Sequence, residues 1–114
     1  MQDKLSNHIS TEVIVLMIDT HLVIIANPKF RLGRVCLTPA AIQFIPPDEI
    51  AEAFRKHSSG DWGVMDPDGK WSNDRALTSG DDLFSAYNTS DGRLFFILTN
   101  ADRSQTTVHF AEDY

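Results

Sequence analysis

The sequence is short of cysteine, of basic residues and of long apolar runs. Among 114 residues Cys36 is the only cysteine, so no disulfide can form within the chain and no zinc site of several cysteines can be built. In the apolar stretch Gly33–Leu37, Cys36 reads as a small buried hydrophobe; a nucleophilic role needs a nearby His and an electropositive setting. Ten Lys and Arg stand against sixteen Asp and Glu, a net charge of −6. Phosphate contacts need clustered cations, so direct DNA binding is not expected. The apolar runs Val13–Ile18 and Leu22–Ala26 are broken by Asp19, Thr20 and His21. Even joined they fall short of the roughly 20 residues that span a bilayer, so no membrane association is expected. Asp19 also falls where the apolar core of a signal peptide would continue, which leaves the cytoplasm as the expected compartment. There is no P-loop, no Gly-rich dinucleotide fingerprint and no His-Glu pair at zinc spacing. Asp66-Pro67-Asp68-Gly69 lacks the ligand set and terminal Glu of a calcium loop. Neither a cofactor nor a metal is expected.

What is present suits one folded domain over residues 1–114: 42% of the residues are apolar and 23% charged. The charge is uneven. Residues 1–37 carry three acids and four bases, whereas residues 38–114 carry thirteen acids and six bases, a local balance of −7. An acidic body repels nucleic acid and attracts basic partners; it also serves plain solubility.

Val13–Ile18 and Leu22–Ala26 are rich in Val and Ile and have strand length, with Asp19-Thr20-His21 as the turn of a hairpin. Gly33–Leu37 is a third strand candidate. Thr38-Pro39 supplies a cap and a first-position proline for a helix to Phe44. Pro47–His57 is a second helix, with Ile50, Ala53, Phe54 and His57 on one apolar face. Residues 61–71 read as loop, and Ser72–Ser79 as a short helix stopped by Gly80. Leu83–Tyr87, Arg93–Thr99 and Gln105–Glu112 are joined by links of hairpin length and form an antiparallel meander. Both faces of Arg93–Thr99 are apolar. One is expected to meet Ile50 and Phe54, the other the N-terminal hairpin. The fold class is α+β: an antiparallel sheet packed against two or three short helices, plus an N-terminal hairpin.

Four groups of side chains invite chemistry. His57 lies near a helix C-terminus with Asp61 four residues on; it is either a general acid-base or a buried His bonded to its surroundings. Ser58-Ser59-Gly60-Asp61-Trp62-Gly63 places a Trp between two glycines, where Trp62 either plugs the core or anchors a partner. Asp61, Asp66, Asp68, Asp81 and Asp82 form an acidic series. Arg103, Ser104 and Thr107 either grip an anion or make a turn and a solvated strand.

Leu32-Gly33-Arg34-Val35, Thr38-Pro39, His57–Gly63, Asn73-Asp74, Ser85-Ala86-Tyr87, Thr99–Ser104 with Thr106-Thr107, and Glu112-Asp113-Tyr114 together resemble a family of short proteins. These are carried on plasmids, prophages and integrative elements and often labelled "plasmid-related protein". The first 31 residues fall outside the resemblance, so the hairpin is a candidate extension to a core of residues 32–114. The resemblance implies a mobile-element setting and brings no reaction with it. The order of elements also resembles, more weakly, the barnase/RelE-type ribonucleases, which implies His57, Tyr87, Arg103, Ser104 and Thr107 as a catalytic set.

Two functional expectations follow. The first is a non-enzymatic accessory protein that binds and inhibits a host protein. Its target would be a nucleic-acid-binding component of a defence system, in an anti-CRISPR or anti-restriction role. Asp61, Trp62, Asp66, Asp68, Asp81 and Asp82 would bind that partner. The second is a small metal-independent ribonuclease, a toxin or effector, which requires His57 and Arg103 to converge. A homodimeric accessory protein is a third possibility.

Overall fold

The computed structural model describes residues 12–18 and 20–113; the polar segment 1–11, Asp19 of the hairpin turn and Tyr114 lie outside it. The order is β1 (Val13–Ile18), β2 (His21–Ala26), β3 (Arg34–Leu37), α1 (Pro39–Phe44), α2 (Pro47–Ser59), α3 (Pro67–Ser79), β4 (Leu83–Asn88), β5 (Leu94–Thr99) and β6 (Gln105–Phe110). A 3₁₀ turn, Ala111–Asp113, follows. The fold is α+β. Its β1–β2 hairpin stands apart from a four-stranded sheet of order β3-β6-β5-β4.

Strands β4, β5 and β6 form the antiparallel meander that their short links dictate, with β5 paired on both sides. The third strand candidate adds to it: β3 pairs parallel with β6, Arg34 opposite Gln105 and Leu37 opposite Val108. The long intervening chain permits the crossover that parallel pairing requires.

Each helix starts on a proline. The Thr38 hydroxyl accepts from the Ala41 amide at 3.2 Å to cap α1. Asp48 and Glu49 in the first turn of α2, and Lys56 in the last, complement its dipole. The expected start of α3 at Ser72 is corrected to Pro67. The Asp66 carboxylate accepts from the Gly69 amide at 2.7 Å, so a cap and a first-position proline open the helix inside the segment read as loop. The last strand ends at Phe110 rather than Glu112, where the chain tightens into the 3₁₀ turn.

The core forms between α2, the sheet and the hairpin. Ile50, Ala53 and Phe54 of α2 are buried with Phe95 and Ile97 of β5, Val108 and Phe110 of β6, and Ile18, Val23 and Ile25 of the hairpin. The expected position of the hairpin is therefore corrected. It packs against α2, on the same side of the sheet as that helix, instead of covering the far sheet face. Leu94, Phe96 and Leu98 on that far face are only half-buried. They are sheltered by one another and by Phe84 and His109, whose rings lie 4.7 and 5.7 Å from that of Phe96. Among the described residues no helix is long and apolar enough to cross a membrane.

Candidate functional site

His57 ends the apolar face of α2 and is fully buried. Its Nδ1 lies 2.5 Å from the Ser85 hydroxyl and its Nε2 2.8 Å from that of Thr99. The direction of the protons follows from the far end of the chain. The Thr106 hydroxyl donates to the Leu32 carbonyl, which can only accept, at 2.6 Å. Thr106 therefore accepts from Thr99, 2.8 Å away, and Thr99 in turn accepts from Nε2–H. That leaves Nδ1 to accept from Ser85. The ring is thus neutral and satisfied at both nitrogens. Its pKa is pushed down from 6.5 to about 3, chiefly by burial and secondarily by the Arg103 guanidinium. Phe30 and Trp62 meet its ring edge-on at 5.1 and 5.8 Å.

Of the catalytic set that the ribonuclease resemblance implies, His57 and Arg103 do come near each other, but both ring nitrogens of His57 are bonded and Arg103 is committed to backbone carbonyls. Arg103 donates to the carbonyls of Ala76 (2.8 Å), Asp81 (2.6 Å) and Asn100 (3.1 Å), tying the end of α3 to the β5–β6 turn. Buried Tyr87 donates to the Asp61 carbonyl at 2.8 Å, and burial raises its pKa. The Ser104 amide donates to Asn100 and Asp102 within the turn, and hydrogen bonds from Ser104 hold the Asp102 carboxyl below its usual range. Thr107 projects from the opposite sheet face, across from Cys36 and Leu98. Because strand side chains alternate, it is Thr106, not Thr107, that joins the His57 network, and it does so through Thr99. The set offers no common open surface to a 2′-hydroxyl and a phosphate.

Trp62 is buried at 2% exposure, with Ala76 and Leu83 around it, and its indole N–H donates to Asp74 at 2.9 Å. Of the two sequence readings, the core plug describes its surroundings. Gly63 beside it, at φ +77°, brings the backbone against β4, where the Val64 amide donates to the Ala86 carbonyl at 2.8 Å. A Cβ on Gly63 would run into that carbonyl and into the Tyr87 ring.

The acidic series is exposed, though not gathered at one spot. Asp66 and Asp68 stand at the start of α3, while Asp81 and Asp82 follow its end, about 20 Å away at 1.5 Å per residue. Asp61 accepts from the Gly63 amide at 3.1 Å, and Asp81 from the Ser79 hydroxyl at 2.9 Å. The aromatic that accompanies them is one the sequence reading passed over. Trp71, on α3, is 61% exposed, and the Arg75 guanidinium lies 4.9 Å from its ring centre. Trp71, Ser72, Arg75 and Ser79 line a shallow groove of about 250 Å³ with Asp81 and Asp82. The signal for Trp71 was available once α3 is started at Pro67. Ala76 and Asn73 then occupy the buried stripe, and Trp71 falls off it. Residues 61–82 hold six acids and two bases, all of them exposed. No group of His, Cys, Asp and Glu among the described residues is arranged to hold a metal ion.

No protein-family model, curated protein or solved structure matches the chain.

Proposed function

We propose that the protein is a non-enzymatic binding protein of a mobile element. It inhibits a host defence component by occupying a basic groove that otherwise receives nucleic acid. The observation that carries this reading is Trp71, an exposed indole on α3 beside Asp81 and Asp82 in a strongly acidic stretch of the chain. A large aromatic supplies contact area at small entropic cost, and surrounding carboxylates steer it toward cations. Trp71 takes the anchoring place that the sequence suggested for Trp62. Asp68 and Asp82 flank it at the two ends of α3, with Asp66 and Asp81 partly committed to local hydrogen bonds.

The test is affinity capture from host lysate with quantitative mass spectrometry, using three baits: the parent, Trp71→Ala and Asp81→Asn/Asp82→Asn. A nucleic-acid-binding defence protein should be held by the parent, released by moderate salt and lost with both variants. Recovery of no such protein, or equal recovery on all three baits, refutes the reading. The protein is also expected to leave RNA intact in EDTA. Cleavage that disappears with His57→Ala and Arg103→Ala would instead establish the ribonuclease.

A further inference from the structure

The hairpin is apolar on both sides. Its inner side chains, Ile14, Leu16, Ile18, Val23 and Ile25, turn toward the core. Its outer ones are Val13, Val15 and Met17 on β1, with Leu22 and Ile24 on β2, exposed by 52, 60, 63, 59 and 52%. Val15 stands directly opposite Ile24, and Met17 opposite Leu22, so these form one continuous surface without a charge in it. At Met17 the surface runs on to exposed Ile42 and into an apolar hollow of about 400 Å³, lined also by Val35, Leu37, Ile45 and Ile50.

We infer that this surface is the two-fold contact of a homodimer, in which the outer faces of two hairpins stack on each other. Three observations select a second copy as the occupant. Strands with near-continuous apolar sequence are those covered on both faces, and α2 covers only one face of this ribbon. The outer side chains and Ile42 expose on the order of 600 Å² of apolar surface, at the upper end for a lone patch on a monomer. Stacked on a copy of themselves, they supply most of the roughly 800 Å² per partner of a stable interface. Finally, the charge permits it. Residues 1–37 are nearly neutral and residues 38–114 carry the −7, so a contact through the hairpins joins the parts of two acidic molecules that repel least. A self-complementary patch on both subunits is what a two-fold contact requires.

The full chain is examined by sedimentation equilibrium and light scattering. The parent is expected at twice the 12.8 kDa chain mass at micromolar concentration. The variant Val15→Lys/Ile24→Glu puts opposite charges on a cross-strand pair, which keeps the hairpin paired while placing two charges in the contact. It should be monomeric, with dissociation at least about 100-fold easier, and should keep the parent's circular dichroism. Independently of any folding defect in that variant, Ile24→Cys in a Cys36→Ser background should be joined to its own copy by a short bismaleimide, since Ile24 lies near the patch centre. The exposed control Ser79→Cys should not. A parent that is monomeric at every concentration overturns the inference, whether or not it pellets with neutral lipid vesicles. So does a dimer that survives the double substitution, or one whose Ile24→Cys form is not crosslinked.

Discussion

Mild acid should destabilise this protein, chiefly through His57. His57 is fully buried and neutral in the fold, with a pKa pushed down to about 3, whereas in the unfolded chain it titrates near 6.5. Between those values the unfolded state binds a proton that the folded state refuses. Stability is therefore complete above pH 6.5 and is lost as pH falls toward 3, at roughly 1.4 kcal/mol per pH unit inside the window. From pH 7 to pH 5 the loss is about 2 kcal/mol, because the unfolded His is only partly protonated at the start. With a urea slope on the order of 2 kcal/mol/M, the unfolding midpoint should drop by about 1 M. The assay is urea unfolding followed by circular dichroism at pH 7, 6 and 5, with the parent beside His57→Gln. The variant is less stable at every pH, since the bonds to Ser85 and Thr99 are altered, but its midpoint should move far less between pH 7 and 5. His109, whose pKa burial also lowers, contributes equally to both proteins and drops out of the comparison. Equal pH dependence in parent and variant would refute the claim that His57 is held neutral by the fold.

The two tryptophans should differ sharply under the same assay. Trp62→Ala removes a buried plug and should cost about 3–5 kcal/mol, whereas Trp71→Ala should stay within about 0.5 kcal/mol; comparable losses would contradict the burial of one and exposure of the other. Gly63→Ala should prevent the chain from folding cooperatively, because its Cβ meets the Ala86 backbone. Gly80→Ala, at φ +81° with open space around it, should lose only about 1 kcal/mol for the left-handed conformation. Thermal melts that rank the two alike would show that the approach of Gly63 to β4 is not rigid.

Much of this arrangement is legible because local chemistry and tertiary packing agree. Pro39 and Pro47 mark helix starts, and the short links after β4 and β5 force the meander. Where a local rule was outweighed by an opposite cue, the reading slipped. Pro67 and Gly69 suggest loop by composition, yet Asp66-Pro67 repeats the cap-and-proline pattern of Thr38-Pro39. The position of the hairpin was not legible at all. With apolar side chains on both faces, alternation gives no direction, and α2 and the far sheet face both offer apolar partners. For the site, the parity of one strand decided the outcome, since Thr106 and Thr107 differ only in which sheet face they serve. Several residues behind the mobile-element resemblance, His57, Trp62, Asn73, Asp74, Ser85, Thr99 and Thr106, turn out to hold the interior together. The surface proposed to meet a partner lies elsewhere, on Trp71 and its neighbours.

The parallel pairing of β3 with β6 has a consequence for how the molecule assembles as it is made. Arg34 and Gln105 are 71 positions apart, and β6 lies inside the sheet, between the edge strand β3 and the inner strand β5. When the ribosome has completed the hairpin, β3, α1 and α2, none of the sheet strands that cover Phe54 has yet been synthesised. The polar chain from His57 through Thr99 and Thr106 to Leu32 is likewise open until residue 106 is added. Closure of so distant a loop is slow, and until then the apolar faces of the hairpin and α2 are open to other chains. Assembly of this small protein is thus governed by its final strand, and a nascent chain stalled before residue 105 would be the species most in need of a chaperone.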